Sequence, residues 1–252
     1  MTKHKSKSEK LPDRILPIPC KDKGFQEEWI QGRNLLNIPH SFRAVICGRP
    51  GMGKSTLAKN LLLRQDPMFE EVYVIHVDHE FTEEYDDIEG AVMLNYIPKV
   101  NDKIFNSKKK RLLILDDLEY KFMNKDDKRN MDRLYGYCAS HKSTSMICTA
   151  QCPFSINPTI RRMSDIWIIG RINNDLSAFA LLASRCGMKR ENFEYVFDKY
   201  IHGIHDTFWV DLTKGTPAKY RINGYTVLDE KTFEPINNDK NINNNIEETK
   251  DE

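Results

Sequence analysis

No stretch of the chain approaches the roughly 18 consecutive apolar residues that a membrane-spanning helix requires, so membrane insertion is not expected. A C-x-x-C pair is missing as well. The six cysteines, Cys20, Cys47, Cys138, Cys148, Cys152 and Cys186, are scattered, which argues against a zinc ribbon or a disulfide framework and for a reducing intracellular compartment. Charge of one sign is also missing: 38 Lys and Arg stand against 37 Asp and Glu, a net charge of +1. Contact with nucleic acid must therefore come from local basic patches and not from a global field. The N-terminus is charged with no apolar segment behind it, so no secretory signal is expected. There is no internal repeat. At 252 residues the chain can form one good-sized α/β domain, or two small ones, with a core that needs no disulfides.

Against this background one stretch carries specific chemistry. Gly48-Arg49-Pro50-Gly51-Met52-Gly53-Lys54-Ser55 fits the phosphate-binding pattern G-x-x-x-x-G-K-[ST] at every specified position. Phe42 to Cys47 reads as a buried strand before it, and Thr56 to Arg64 reads as a helix after it, closed by Asp66-Pro67. The glycines let the backbone turn tightly and aim several N–H groups at one set of phosphate oxygens, where the helix dipole also favours an anion. Gly48 through Thr56 is thus the expected nucleotide-contacting segment. Lys54 is expected at the β- and γ-phosphates, and the Ser55 hydroxyl at Mg²⁺.

The remaining elements follow in order. Glu71 to Val77 reads as a strand, Asp78 to Asp87 as an acidic surface loop, and Val92 to Ile97 as a strand stopped by Pro98. Leu112 to Leu115, flanked by charge, predicts a central parallel strand that delivers Asp116 and Asp117 to its C-terminal end, the edge where ligands bind in open α/β sheets. Asp116 is expected to hold Mg²⁺ through water, and Asp117 to orient or deprotonate the attacking water. Asn124 to Asp127 is a literal N-K-x-D, the guanine-reading pattern, but it follows a Lys/Asp-rich stretch where a buried strand is required, so GTP specificity is not expected.

Apolar positions at Met131, Leu134, Tyr135 and Cys138 predict a crossover helix over 127–141. Ser145 to Ala150 predicts a strand ending on Gln151, whose amide is placed to contact the γ-phosphate or the attacking water. Arg161 and Arg162, beside a strand over Asp165 to Gly170, suit a finger reaching a phosphate in cis or in a neighbour's site. They suit a surface salt bridge or a DNA phosphate contact equally well. Helices are expected over Leu176 to Cys186 and Arg190 to Ile201, then a hairpin around Lys214-Gly215. Residues 1–24 read as a basic arm, 25–228 as the ATPase domain and 229–252 as a disordered polar tail.

The ordered combination of Gly48 to Ser55, Asp116-Asp117, His141 ahead of the strand ending on Gln151, and Pro158-Thr159-Ile160-Arg161-Arg162 before the strand Asp165 to Gly170 resembles a known family. It is similar to the genome-packaging ATPases of large double-stranded DNA viruses and virophages, the poxvirus-type branch of the FtsK–HerA superfamily. The resemblance covers about residues 40 to 225, loosely at Phe208 to Leu212. It implies a three-layer α/β P-loop NTPase of the RecA-like, additional-strand catalytic-acid type with a mainly parallel sheet, using ATP and Mg²⁺. It also implies Lys54 and Ser55 at the phosphates and metal, Asp116 as metal-associated acid, Asp117 at the catalytic-acid position and Gln151 as polar sensor.

Two departures stand out. Many relatives in the wider superfamily carry glutamate where Asp117 stands. Ser140 occupies the place of an arginine expected just before the histidine, which leaves the finger to Arg161 or Arg162, with Arg49 and Arg171 as lesser candidates. The resemblance further implies a ring homo-oligomer, a pentamer or hexamer, with double-stranded DNA through its centre and a capsid or portal-vertex protein as partner. The expected location is the host cytoplasm or viral assembly site, with association with the virion in view. The rival readings are a HerA-like cellular or plasmid DNA translocase, which would bring an added domain, a small-molecule kinase, and a nucleotide-switched binding module.

Overall fold

In the computed structural model the described residues are 38–236, apart from 66–67, 77–82, 87, 173–174 and 217. The expected basic arm over 1–24, residues 25–37 of the expected ATPase domain and everything past 236 lie outside them. The elements in chain order are β1 (Arg43–Cys47), α1 (Lys54–Leu63), β2 (Glu71–His76), β3 (Ala91–Leu94), β4 (Arg111–Asp116), α2 (Lys125–Arg133), β5 (Thr144–Ala150) and α3 (Pro158–Met163). There follow β6 (Ile166–Ile169), α4 (Leu176–Arg185), α5 (Arg190–Tyr200), β7 (Phe208–Asp211), β8 (Tyr220–Ile222) and β9 (Thr226–Leu228).

All strands join one nine-stranded sheet in the order β3-β2-β4-β5-β1-β6-β7-β8-β9. The first six in that order run parallel, and β7, β8 and β9 extend the sheet antiparallel. Strands β4 and β5 are buried along their whole length, as continuous apolar runs in a sheet covered on both faces must be. Alternate residues feed two cores. Val45, Leu113, Leu115 and Met146 pack with α2, α4 and α5 on one face, while Ala44, Ile46, Leu112 and Ile114 pack with α1 on the other. Helices on both sides of a mainly parallel sheet give the three-layer α/β fold, and β5 stands between the phosphate-loop strand β1 and the acid-bearing strand β4.

Several expectations are corrected. The crossover helix over 127–141 is not continuous: a π-helical turn at Leu134–Cys138 separates α2 from a short helical end at Ala139–His141. Gly136, a poor helix former, sits in that turn. The acidic stretch contains a 3₁₀ turn at Glu83–Tyr85, and Tyr85 is only 2% exposed, so this part of it is anchored in the core. Strand β9 was not anticipated, although Asn223-Gly224 is a hairpin signal. The ordered chain also runs past the expected boundary at 229. Phe233 is buried 5.6 Å from the Tyr220 ring, the Asp229 N–H bonds the Glu234 carbonyl at 2.8 Å, and Pro235 bridges Leu228. Asn124, the first residue of N-K-x-D, is a helix cap whose Oδ1 accepts from the Asp127 N–H at 2.8 Å.

Candidate active site

The phosphate loop is short and tightly held. Its glycines Gly51 and Gly53 have φ of 79° and 87°, a left-handed backbone that favours glycine. A Cβ on Gly48 would run into the Met52 thioether, so the close approach there also needs glycine. Backbone bonds tie the loop to the strands beside it: Gly48 N–H to Ala150 O and Arg49 N–H to Arg171 O, each 3.0 Å. Helix α1 begins at Lys54 with no side-chain cap and no acidic residue in its first turn. Its leading N–H groups are therefore free of an internal anion, as a phosphate site requires. The Lys54 ammonium donates to Gly48 O at 3.3 Å and curls back over the loop. Arg49, Pro50 and Thr56 are exposed and Met52 is buried.

Sheet register brings the polar groups to the same edge. Leu115 pairs with Cys148 and Cys47 with Ala150, so the residues just beyond these pairs emerge together at the C-terminal ends of β4, β5 and β1. Asp116 is 2% exposed; its Oδ2 accepts from the Ser55 hydroxyl at 3.4 Å and its Oδ1 from the Thr149 hydroxyl at 2.5 Å. Thr149 Oγ1 in turn accepts the Asp117 N–H at 2.9 Å. Asp117 has φ of 51°, a left-handed conformation that aspartate tolerates better than most residues. The Gln151 amide donates to Asp117 Oδ2 at 2.6 Å. Ser55, Asp116, Asp117 and Gln151 thus form one connected polar chain with Thr149 at its centre.

Tyr85 borders this chain. Its hydroxyl is buried without a well-formed hydrogen bond, yet lies close enough to Asp116 and Ser55 to feel both. Burial first, and the Asp116 charge second, push its pKa up, so it stays protonated. Burial likewise raises the thiols of Cys47 and Cys148, the latter to about 12, which leaves them unreactive.

The arginines stand apart. Arg161 and Arg162 lie in the last turn of α3, and among the described residues no carboxylate pairs with either. Arg162 donates to Thr159 Oγ1 at 3.3 Å; burial, then Arg185 and Arg162 beside it, lower the pKa of Arg161. His141 stacks on Tyr137 with ring centroids 4.5 Å apart, at the start of β5 and so at the sheet edge opposite Gln151.

Three participants were missed in the sequence. Thr149 had a signal, since it lies two residues before Gln151 and a strand's period of two puts both on one face. Tyr85 had none beyond being an aromatic residue in an acidic run. His205, whose Nδ1 bonds Met52 O at 3.1 Å, comes from a loop 153 positions downstream, which local pattern cannot reveal.

No curated protein sequence matches the chain. The genome packaging NTPase B204 from Sulfolobus turreted icosahedral virus 2, in its sulfate complex, has a similar structure: TM-score 0.52 and 18% identity over 73% of this chain and 96% of that one. Its AMPPCP complex gives 0.51 and 17% over 78% and 98%. The DNA-packaging ATPase B204 from Sulfolobus turreted icosahedral virus gives 0.50 and 18% over 77% and 97%. These likenesses bear out the fold that the resemblance implied. Residues 44–171, which run from β1 past β6 and include every element of the polar chain, match the model of the "ATPase family associated with various cellular activities (AAA)". The chain belongs to that family of ATPases.

Proposed function

We propose that this ATPase is a motor subunit that hydrolyses ATP to drive double-stranded DNA into a preformed capsid. The observation that carries the hydrolytic part is the polar chain from Ser55 through Asp116 and Thr149 to Asp117 and Gln151, at the mouth of a phosphate loop. The DNA and capsid parts rest on the likeness to packaging enzymes and on the motif combination read above.

In this reading the loop N–H groups and Lys54 bind the phosphates. Ser55 and Asp116 would hold Mg²⁺: one hydroxyl and one carboxylate beside an orphaned buried tyrosine hydroxyl is an oxygen set that suits a hard cation. Among the described residues no cluster of three or more His, Cys, Asp or Glu could hold a metal alone, which fits an ion carried chiefly by phosphate and water. When bound, the ion neutralises charge on the β- and γ-phosphate oxygens. Asp117 orients the attacking water and takes its proton, and Gln151 fixes the carboxylate through their 2.6 Å bond. Arg161 and Arg162, which pair with no carboxylate among the described residues, serve as the finger in a neighbouring subunit's site, which makes the working form a ring with ATP at its boundaries.

The test is steady-state ATP turnover of the full chain with and without linear double-stranded DNA, beside Lys54→Ala. The motor predicts turnover that rises several-fold with DNA and is abolished by the substitution. Turnover indifferent to DNA would contradict the motor and favour a nucleotide-switched module.

A further inference from the structure

Helices α3 and α4 bury apolar residues in the same core, Ile160 from one and Leu182 and Ala183 from the other, and both are basic in their last turn: Arg161 and Arg162 in α3, Arg185 in α4. A basic side chain there suits the negative end of its own helix dipole. The dipole does not explain why the two ends meet. The Arg185 charge acts on Arg161 more strongly than that of Arg162, its neighbour in the chain, which puts the guanidinium groups of the two helices close together. Arg161 and Arg185 are half-buried, and Arg162 is exposed. The Arg185 Nε is enclosed without a hydrogen-bond partner, and among the described residues no carboxylate pairs with any of the three. Every other described arginine that is not exposed is matched: Arg43 by Asp165 at 2.9 Å, Arg111 by Glu71 at 2.6 Å and Arg221 by Asp211 at 3.3 Å. Only Arg161 and Arg185 depart from that rule.

We propose that Arg161 and Arg185 form a phosphate-binding site outside the phosphate loop, with Arg162 at its exposed rim. An oxyanion supplies what the pair lacks, negative charge between two like charges and acceptors for planar N–H forks, the Arg185 Nε–H among them. Phosphate groups match two positive charges better than a single carboxylate does. The triphosphate held by a neighbouring copy and the backbone of DNA carry this same chemistry, and the motor reading above brings both to the chain. The proposal rests on that reading only for which of the two fills the site. Arg185 thereby joins Arg161 as a second ligand of one anion.

The direct probe is inorganic pyrophosphate, added to full-length chains that carry Lys54→Ala so that the phosphate loop is weakened. Pyrophosphate is expected to raise the melting temperature, and the rise to shrink by about half or more when Arg185→Met is added. Arg185→Met keeps a packed stem and removes the charge. Without pyrophosphate it is expected to leave the melting temperature unchanged or higher, because an enclosed N–H without a partner and a like-charge neighbour are lost. An undiminished rise, or a fall of several degrees without the anion, overturns the site and leaves the motor reading in place. Two further arms name the source. If a neighbour's ATP fills the site, Arg185→Met alone lowers turnover about tenfold or more, and its equimolar mixture with Lys54→Ala turns over faster than either chain alone, because a Lys54→Ala subunit lends its Arg185 to an intact loop next door. If DNA fills it, Arg185→Met weakens binding of a labelled duplex about three- to tenfold and lowers the salt slope by about 1, and the mixture gains nothing. An Arg185→Met chain with wild-type turnover and wild-type duplex affinity also overturns the site. A wild-type chain without turnover defeats the motor reading, while the pyrophosphate arm still decides the site.

Discussion

Thr149 serves both acids at once: it donates to Asp116 and accepts from the Asp117 backbone. Thr149→Val keeps the shape and removes the hydroxyl, leaving a buried carboxylate oxygen and an N–H without partners. That costs about 1–3 kcal/mol, and the melting temperature is expected to fall by several degrees together with turnover, while Thr149→Ser keeps both near wild type. Gln151 was singled out in the sequence by its place after an apolar strand together with the motif order of the resemblance, since a glutamine after a strand means little alone. Thr149 had only its two-residue spacing from Gln151 to mark it, and it was passed over because a threonine inside a strand is already explained by β-propensity. Glu71 poses a different problem at the opposite sheet edge, where it pairs with the fully buried Arg111 at 2.6 Å and with Lys109 at 3.1 Å. Burial alone would raise its pKa, but the Lys109 hydrogen bond and the Arg111 charge outweigh it and hold the carboxyl below its usual 4.5. A depressed acid contributes stability above its unfolded pKa and loses it as pH falls through the folded value. Thermal melts are thus expected to show stability draining away below about pH 4.5, with a smaller loss in that range for Glu71→Gln.

The crossover between β4 and β5 shows how an element can be right in kind and wrong in detail. Helical spacing of Met131, Leu134, Tyr135 and Cys138 identified the buried face, and all four are buried. Spacing could not reveal the π turn, because positions 131, 134, 135 and 138 fall at i, i+3, i+4 and i+7, which fits an uninterrupted α-helix. Gly136 in that turn is exposed, has no positive φ, and a Cβ there would meet only Met163, at 3.8 Å. Gly136→Ala is therefore expected to raise stability by about 0.5–1 kcal/mol, through the entropy of the unfolded chain, and a melt shows it directly. A fall in stability would mean that the turn needs glycine's freedom. At the far end, β9 and the packed stretch to residue 236 escaped notice for a related reason. Thr226-Val227-Leu228 is too short to stand out, and Phe233 is a lone anchor in a polar composition.

Across the whole molecule the sheet order sets the chemistry. Strands β1 and β4 are separated by β5, whose Ala150 carbonyl takes the Gly48 N–H of the phosphate loop and whose Thr149 bonds both acids, while Ser55 reaches Asp116 directly. Each of the three strands was legible from its apolar run. Their order was not, because local pattern carries no information about which parallel strands become neighbours. In the proposed mechanism nucleotide binding belongs to the loop after β1 and hydrolysis to Asp117 after β4. The most direct test of that division is Asp117→Asn, measured for ATP affinity and for single-turnover hydrolysis. The account predicts affinity within about twofold of wild type and a hydrolysis rate lower by about 10²-fold or more, because the asparagine can still accept from Gln151 but cannot take a proton. Hydrolysis near the wild-type rate would contradict it.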